Sequence, residues 1–407
     1  MMLFNVLTFH FLLHYGFIYL VELYPSVNAE FSPKILIRSA RSLHQPPAGG
    51  AGRLMCNIAR SLGSTNWEVN ILCPQPEEEV PTTELGQNCT YHSFPYSNPK
   101  TASERLFGSV RGMNKFRSLI QAEDPDIILD DISHIPYYPA HFFSKNSINS
   151  IFMHTAFFNS AWEFNGPIKG SVVNIIDRLL PYMNDPELIC ASRSTKQRMK
   201  QKTRYNDGYI LNPCINISEF QYQFDSKSKR LLYLGRLTPR KNVSCLINAW
   251  AQIEPKYKNY TLSIAGTGNQ EESLKQLAED LNLENIEFHG YVGKEKKQSL
   301  YRESLLFIVP SLMEGYMTTG LEALASGTPV VGSDTYGIRD YINVDSNGFL
   351  FETNNEQQLA EILDSALSDP KTLQPLAENG RRLAEKHSFE KFKKKSNKVF
   401  ENLLRKN

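Results

Sequence analysis

The sequence lacks most of the features that would place a chain of 407 residues quickly. It has no low-complexity tract and no surplus of one charge, with 44 Lys and Arg against 43 Asp and Glu. The first absence excludes a disordered, collagen-like or coiled-coil chain, and the second removes the bulk electrostatic footprint of a nucleic-acid binder. Its six cysteines (56, 73, 89, 190, 214 and 245) form no CxxC pair and have no histidine at metal spacing. They read as buried thiols of a reducing compartment, not as a disulfide framework or a zinc site. Neither a GxGxxG dinucleotide fingerprint nor a GxxxxGK[ST] phosphate loop occurs. What is present is the composition of a globular enzyme, 41% hydrophobic and 21% charged, long enough for two or three domains.

No Lys or Arg precedes Lys34, and Leu3 to Leu23 is an apolar run with one charge, Glu22. Its length suits a membrane-spanning helix. Val27-Asn28-Ala29 resembles a cleavage site, but the basic start of a signal peptide is missing. Three readings of residues 1–30 stay open: an anchor or surface helix, a cleaved signal, and translation from a start codon upstream of the true one. If the segment inserts, Lys34, Arg38 and Arg41 on its C-terminal side keep the body of the protein in the cytoplasm. Attachment to the cytoplasmic face of the membrane is then the open question.

From Lys34 onward, short β-branched runs alternate with helical patterns. Strands are expected at 34–40, 68–73, 126–130, 150–153 and 187–191, with helices around 50–62, 104–121, 170–183 and 194–202. A stretch of Pro, Asn, Asp, Ser and Lys over 213–229 suits a linker. The alternation then restarts, with strands at 230–237, 260–265, 286–292, 305–310 and 329–332, and helices at 243–253, 270–283, 294–303 and 318–326. From 355 the chain reads as helical. This pattern predicts an α/β protein of two doubly wound, Rossmann-like domains with parallel sheets, facing each other across a cleft. The expected divisions are 1–30, 31–222, 223–387 and a C-terminal helix over 388–407 that packs back on the first domain. Ligands of such sheets sit beyond the carboxyl ends of the strands.

Three loops at those ends carry candidate chemistry. In PPAGGAGR, Gly49 and Gly50 would let backbone approach an anion at a helix N-terminus, although a tight turn without a ligand fits equally well. Arg236 and Lys241, in GRLTPRK, could neutralise a diphosphate, one as a fork and the other as a point charge; a solvated basic turn is the alternative. In EGYMTTGLE, the amides of Met317, Thr318 and Thr319 would meet a phosphate where a helix opens. Glu314 lies within reach of sugar hydroxyls there, and Glu322 within reach of a ribose. Glutamates eight apart are common on helix surfaces, but this pair follows directly on an apolar strand.

The segments GRL-x-PRK, IAGTG, FHGYV, EGYMTTGLEALASGTPVV and the Gly348-Phe349-Leu350 after Asn347 resemble family 4 of the retaining glycosyltransferases (glycosyl transferases group 1), of GT-B fold. The likeness is dense over 230–352 and looser over 34–225, through GGAGR, PDII around Asp126, His154, ASRSTKQRM and ILNPCINISEF. It implies a nucleotide-diphosphate sugar held mainly by the second domain, an acceptor held mainly by the first, and hexose transfer with retained configuration. It implies no cofactor and no metal. Carried onto this chain, it gives Arg236 and Lys241 to the diphosphate, Glu314 to the donor sugar and Glu322 to the ribose. Gly49, Gly50, Gly315, Tyr316, Met317, Thr318 and Thr319 would offer backbone to the donor, and Tyr291 and Val292 would face the base. His154 would touch the transferred sugar; taken alone, a histidine after a strand is more often structural. Glu314 and His154 are thus the catalytic candidates.

Met317 stands where many relatives have glycine, so its side chain either crowds the sugar or lies outward. Asp124-Pro-Asp126 mimics a DxD metal motif but sits at a helix-to-strand junction and is read as structural. Sequons at Asn88, Asn216, Asn242 and Asn259 matter only in a secreted chain. Trp162 and Phe164, in the aromatic loop that starts at Phe157 and Phe158, could stack on an acceptor or pack in a core. Residues 193–204 carry six cations and no acid, and 31–205 hold 19 basic and 15 acidic residues. That balance fits either a membrane-facing patch or a solvated helix face. The expected product is a cell-surface polysaccharide or glycolipid, made on a glycan or lipid-linked acceptor. The alternatives are a GT-B nucleotide-sugar-binding partner subunit without activity, and a sugar-nucleotide epimerase.

Overall fold

Strands of two to seven residues, most of them apolar, pair into two all-parallel sheets in a computed structural model of the chain. The structure describes residues 32–39, 49–74, 85–94, 102–131, 143–144, 146–158, 170–171, 174–175, 177–179, 186–205, 207–344 and 346–406. The apolar leader, Trp162 and Phe164 lie outside the described residues.

The first sheet contains β1 (Lys34–Arg38), β2 (Glu68–Pro74), β3 (Cys89–Phe94), β4 (Ile127–Asp131), β5 (Ile148–Met153), β6 (Glu187–Cys190) and β7 (Tyr209–Ile210), ordered β3-β2-β1-β4-β5-β6-β7. The second contains β8 (Arg230–Leu234), β9 (Thr261–Ala265), β10 (Ile286–Gly290), β11 (Leu306–Val309), β12 (Val330–Ser333) and β13 (Gly348–Phe351), ordered β10-β9-β8-β11-β12-β13. In each sheet the order reverses beside the first strand, between β1 and β4 and between β8 and β11. A crevice opens at such a reversal, beyond the carboxyl ends of the strands.

Among the described residues the helices are α1 (Gly49–Gly63), α2 (Ala102–Glu123), α3 (Arg193–Lys202), α4 (Val243–Ile253), α5 (Glu271–Asp280), α6 (Lys294–Arg302), α7 (Thr318–Ser326), α8 (Glu356–Ser368), α9 (Gln374–Lys386) and α10 (Phe389–Leu404). The central strands are buried along nearly their whole length, as strands covered on both faces must be. Among the described residues no helix is long and apolar enough to cross a membrane.

Two crossings join the halves. Ile215 and Phe220 pack in the second half's core, ahead of the expected boundary at 222. The chain returns at His387 and Ser388, where the Ile215 amide donates to the His387 carbonyl at 3.0 Å. Helix α10 then presents Phe392, Ser396, Val399, Phe400 and Leu403 at three- and four-residue spacing. Its apolar residues join the first half's core with Leu54, Ile58 and Trp67, and Phe400 meets Trp67 edge-to-face at 6.2 Å.

Candidate active site

Glu314 lies in the loop between β11 and α7 and is 7% exposed. A carboxylate so buried needs a partner, and the turn Pro239–Lys241 beyond β8 supplies two. Lys241 Nζ stands 2.6 Å from Oε1, and Arg240 Nη1 stands 3.2 Å from Oε2. Arg240 also donates to the Met313 carbonyl at 2.5 Å, and its own carbonyl accepts from Leu312 N at 2.9 Å. Burial raises the carboxyl's pKa, but Arg240 and Lys241 outweigh it and lower it to about 2. Glu314 is therefore a carboxylate throughout the neutral range.

Glu322, one turn into α7, is 2% exposed and is held by three donors. Lys297 Nζ (2.9 Å) and Arg53 Nη1 (3.0 Å) share Oε1, and the buried Tyr301 hydroxyl takes Oε2 at 3.0 Å. Arg53 comes from α1, in the other half of the molecule.

The two helix N-termini proposed for anions face each other. A Cβ at Gly50 would lie 3.7 Å from Thr318 Oγ1, so the amino ends of α1 and α7 approach closely. Met317, at the cap position of α7, has no side-chain oxygen to satisfy the first amides. Gly49 has a φ of 50°, a left-handed conformation that glycine adopts without strain.

His154 lies at the carboxyl end of β5, and its Nε2 is 2.7 Å from Asp131 Oδ1, at the end of β4. The other Asp131 oxygen accepts from Ser39 Oγ at 2.8 Å. Gly315 sits directly against this strand end, since a Cβ there would fall 1.9 Å from the His154 carbonyl oxygen. No side chain fits. A second tie between the halves lies alongside, where Asp340 accepts from Ser194 N (2.9 Å) and Ser194 Oγ (2.6 Å) at the start of α3.

The structure thus brings together Gly50, His154, Glu314, Gly315, Thr318 and Glu322, with Lys241 and the exposed Arg236 from the turn after β8. The Tyr233 hydroxyl pins that turn by donating to the Arg236 carbonyl at 2.9 Å. Thr319 is half-buried. Tyr291 is 64% exposed beyond β10, while Val292 packs on the second core. Tyr316 turns its side chain away from the loop, toward Tyr341 and His387, and its hydroxyl lies 3.0 Å from His387 Nε2. Met317 takes neither orientation considered from the sequence: it is 4% exposed, packed in the core around Leu321 and Tyr341.

The structure also places the remaining residues singled out in the sequence. Phe158, at the start of the aromatic loop, is a core residue, and the buried Asp177 accepts from the amides of Phe157 and Phe158 at 3.0 Å each. The basic run on α3 is not uniformly solvated. Lys196 binds Asp207 and the Gly208 carbonyl, and Arg198 donates to the Phe157 carbonyl at 2.8 Å. Asp126 accepts from Lys34 N at 2.7 Å, a strand-pinning contact. Asn242 is 9% exposed and hydrogen-bonds Asn354, so a glycan has no room there. Among the described residues no cluster of His, Cys, Asp and Glu could hold a metal ion, and none of the six cysteines forms a disulfide. Two surface cavities of about 590 and 550 Å³ lie elsewhere, one at the amino ends of β8 and β9 and the other beside β13.

Sequence reasoning missed Arg53, Asp131, Arg240, Lys297, Tyr301 and Asp340. Arg53 and Arg240 stood inside quoted motifs, so their positions carried a signal. The other four act across folded distance and had none.

Two facing Rossmann-like domains with a charged crevice at their strand reversals define the GT-B architecture. Sucrose-phosphate synthase from Thermosynechococcus elongatus shares it with a TM-score of 0.77 at 16% identity, over 92% of this chain and 100% of that one. Anabaena HepE, in a complex with UDP and glucose, shares it with a TM-score of 0.71 at 17% identity, over 91% and 100%. The model for glycosyltransferase family 4 matches residues 48–218, and that for glycosyl transferases group 1 matches 215–383. The chain belongs to this glycosyltransferase family. An uncharacterized glycosyltransferase of Haemophilus influenzae is 23% identical over 350 residues, 84% of this chain and 94% of that protein.

Proposed function

We propose that the protein is a retaining hexosyltransferase that uses a nucleotide-diphosphate sugar and needs no metal. The observation that carries this reading is the pairing of Glu314 with Lys241 and Arg240 beside two converging helix N-termini. Such a site offers fixed positive potential where a leaving diphosphate would develop charge, which is the largest common contribution to transition-state stabilisation. The diphosphate lies against Lys241, Arg236 and the amides opening α7, with Gly49 and Gly50 approaching from the first half. Glu322 takes the ribose and Glu314 the hydroxyls of the transferred sugar. Tyr291 and Val292 flank the base. His154, oriented by Asp131, contacts the sugar on the acceptor side. Departure of the diphosphate leaves an oxocarbenium-like sugar, and the acceptor attacks from the face just vacated, so configuration is retained. The complex of HepE with UDP and glucose supports a nucleotide-sugar donor for this architecture.

The acceptor in this reading is a glycan or a lipid-linked glycan of cell-surface synthesis, reached from the cytoplasm. Contact with an anionic membrane would fall to the exposed Arg193, Lys200 and Lys202, since Lys196 and Arg198 are engaged. The test is incubation with UDP-, GDP- and ADP-sugars and membrane extract, measuring nucleotide release. Release that depends on Glu314 and Lys241 is expected. Donor binding without release from any sugar would favour a partner subunit, and interconversion of the free nucleotide-sugars an epimerase.

A further inference from the structure

Lys241 is asked to do two things in the proposed reaction. It neutralises Glu314, and it must also meet the diphosphate of the donor. One ammonium cannot serve both anions at full strength, and a carboxylate 7% exposed cannot be left without a cation. The two oxygens of Glu314 are already divided. Oε1 faces Lys241 at 2.6 Å and Oε2 faces Arg240 at 3.2 Å.

We propose that Arg240 is a positioning residue that keeps Glu314 paired and in place while the donor diphosphate draws Lys241 away. This rests on the donor-site reading above.

The chemistry of the two side chains fits the division. A lysine ammonium is a point charge on a flexible stem, able to swing between neighbouring anions. Arg240 is fixed at several points. Its guanidinium reaches both the Met313 carbonyl and Glu314, and its backbone carbonyl accepts from Leu312 N. It therefore staples the segment 312–314 to the turn 239–241 through backbone and side chain together. Its side chain is 19% exposed, so the fork has little freedom to follow a ligand.

The other groups facing Glu314 cannot replace it. Tyr233 on β8 and Tyr341 after β12 are buried phenols whose pKa values are pushed up by burial and by the Glu314 charge, so they remain neutral. Ser311 carries no charge. Arg236 faces Lys241 and Tyr233 from an exposed position, on the side where the diphosphate would lie. Without Arg240, departure of Lys241 would leave a buried carboxylate that must either take up a proton or hold Lys241 back from the phosphate.

The full chain is titrated calorimetrically with inorganic pyrophosphate at pH 6, in two buffers of different ionisation enthalpy, to count protons taken up on binding. The wild type sets the reference count. R240Q should take up an additional proton, approaching one per site, and R240Q/E314Q should return to the reference count. R240K retains the charge and should match the wild-type count with affinity within about threefold. Equal counts together with unchanged affinity in R240Q and wild type would overturn the proposal, whereas equal counts with weakened affinity would mean that Glu314 holds Lys241 back, as the proposal allows. A loss of affinity beyond about tenfold in R240K would also overturn it, because Arg240 would then be serving the phosphate; this arm also decides the matter if R240Q does not fold. Failure of pyrophosphate to bind the wild type would instead overturn the donor-site reading, and the role of Arg240 with it.

Discussion

A carboxylate buried as Glu314 is must be compensated at short range, and Lys241 is the closer of its two cations at 2.6 Å. Lys241→Ala should weaken binding of a nucleoside diphosphate at least about tenfold, because it removes a charge-assisted contact from the phosphate. Arg240 remains to hold Glu314, so the fold should survive; calorimetry against thermal melting separates the two effects. His387 gives a second prediction at this scale. Burial, with Lys395 and Lys386 adding to it and the Pro213 carbonyl opposing, lowers its pKa from 6.5 to about 4. The unfolded chain therefore binds this proton before the folded one does, so stability falls as pH drops from 6.5 toward 4. At pH 5 the loss should be roughly 1–2 kcal/mol. Denaturant titration at pH 7 and pH 5 should show it, and His387→Gln should remove that part of the pH dependence. An unchanged pH dependence in the variant would contradict the assignment.

At the scale of elements, the approach of α7 and β5 depends on one missing side chain. A Cβ at Gly315 would fall 1.9 Å from the His154 carbonyl oxygen, a collision with backbone that cannot be relieved by a rotamer change. Gly315→Ala should abolish nucleotide release while each half keeps its secondary structure by circular dichroism. Gly50→Ala is the contrast, because its Cβ would meet only Thr318 Oγ1 at an ordinary 3.7 Å. Its melting temperature should stay within a few degrees of the wild type, with any loss confined to donor affinity. Wild-type activity in Gly315→Ala would show that the halves need not meet there. The elements themselves were largely legible. Helix α7 runs over Thr318–Ser326 and α4 over Val243–Ile253, as their apolar spacing predicts. Strand β3 (CTYHSF) was missed because it sits at a sheet edge and has no apolar run, and β7 because it is two residues long. The site was legible only as motifs at strand ends. The pairs that cross between halves, Arg53 with Glu322 and Ser194 with Asp340, lie 269 and 146 residues apart in the chain. Local pattern carries no trace of such contacts.

For the whole molecule, the C-terminal helix belongs structurally to the first half. It buries Phe392, Val399, Phe400 and Leu403 against α1 and Trp67, and each such side chain stabilises by about 1.5–3 kcal/mol. Truncation after His387 should expose Trp67, leave the first half unable to fold stably, and appear as a red-shifted tryptophan emission with aggregation. The near-cancelling charges of the chain conceal a local concentration of cations, with Arg53, Arg236, Arg240, Lys241 and Lys297 gathered around two buried glutamates. The central claim is that Lys241 and Arg236, within this concentration, bind the diphosphate of a nucleotide-sugar. The most direct measurement is the melting temperature of the full chain with UDP, GDP or ADP at concentrations far above expected dissociation constants. At about 100 times the dissociation constant, binding would stabilise by roughly 2.7 kcal/mol. One of the three should raise the melting temperature by several degrees, and Lys241→Ala should lose most of that shift. No shift with any of them, or an equal shift in Lys241→Ala, would contradict the account.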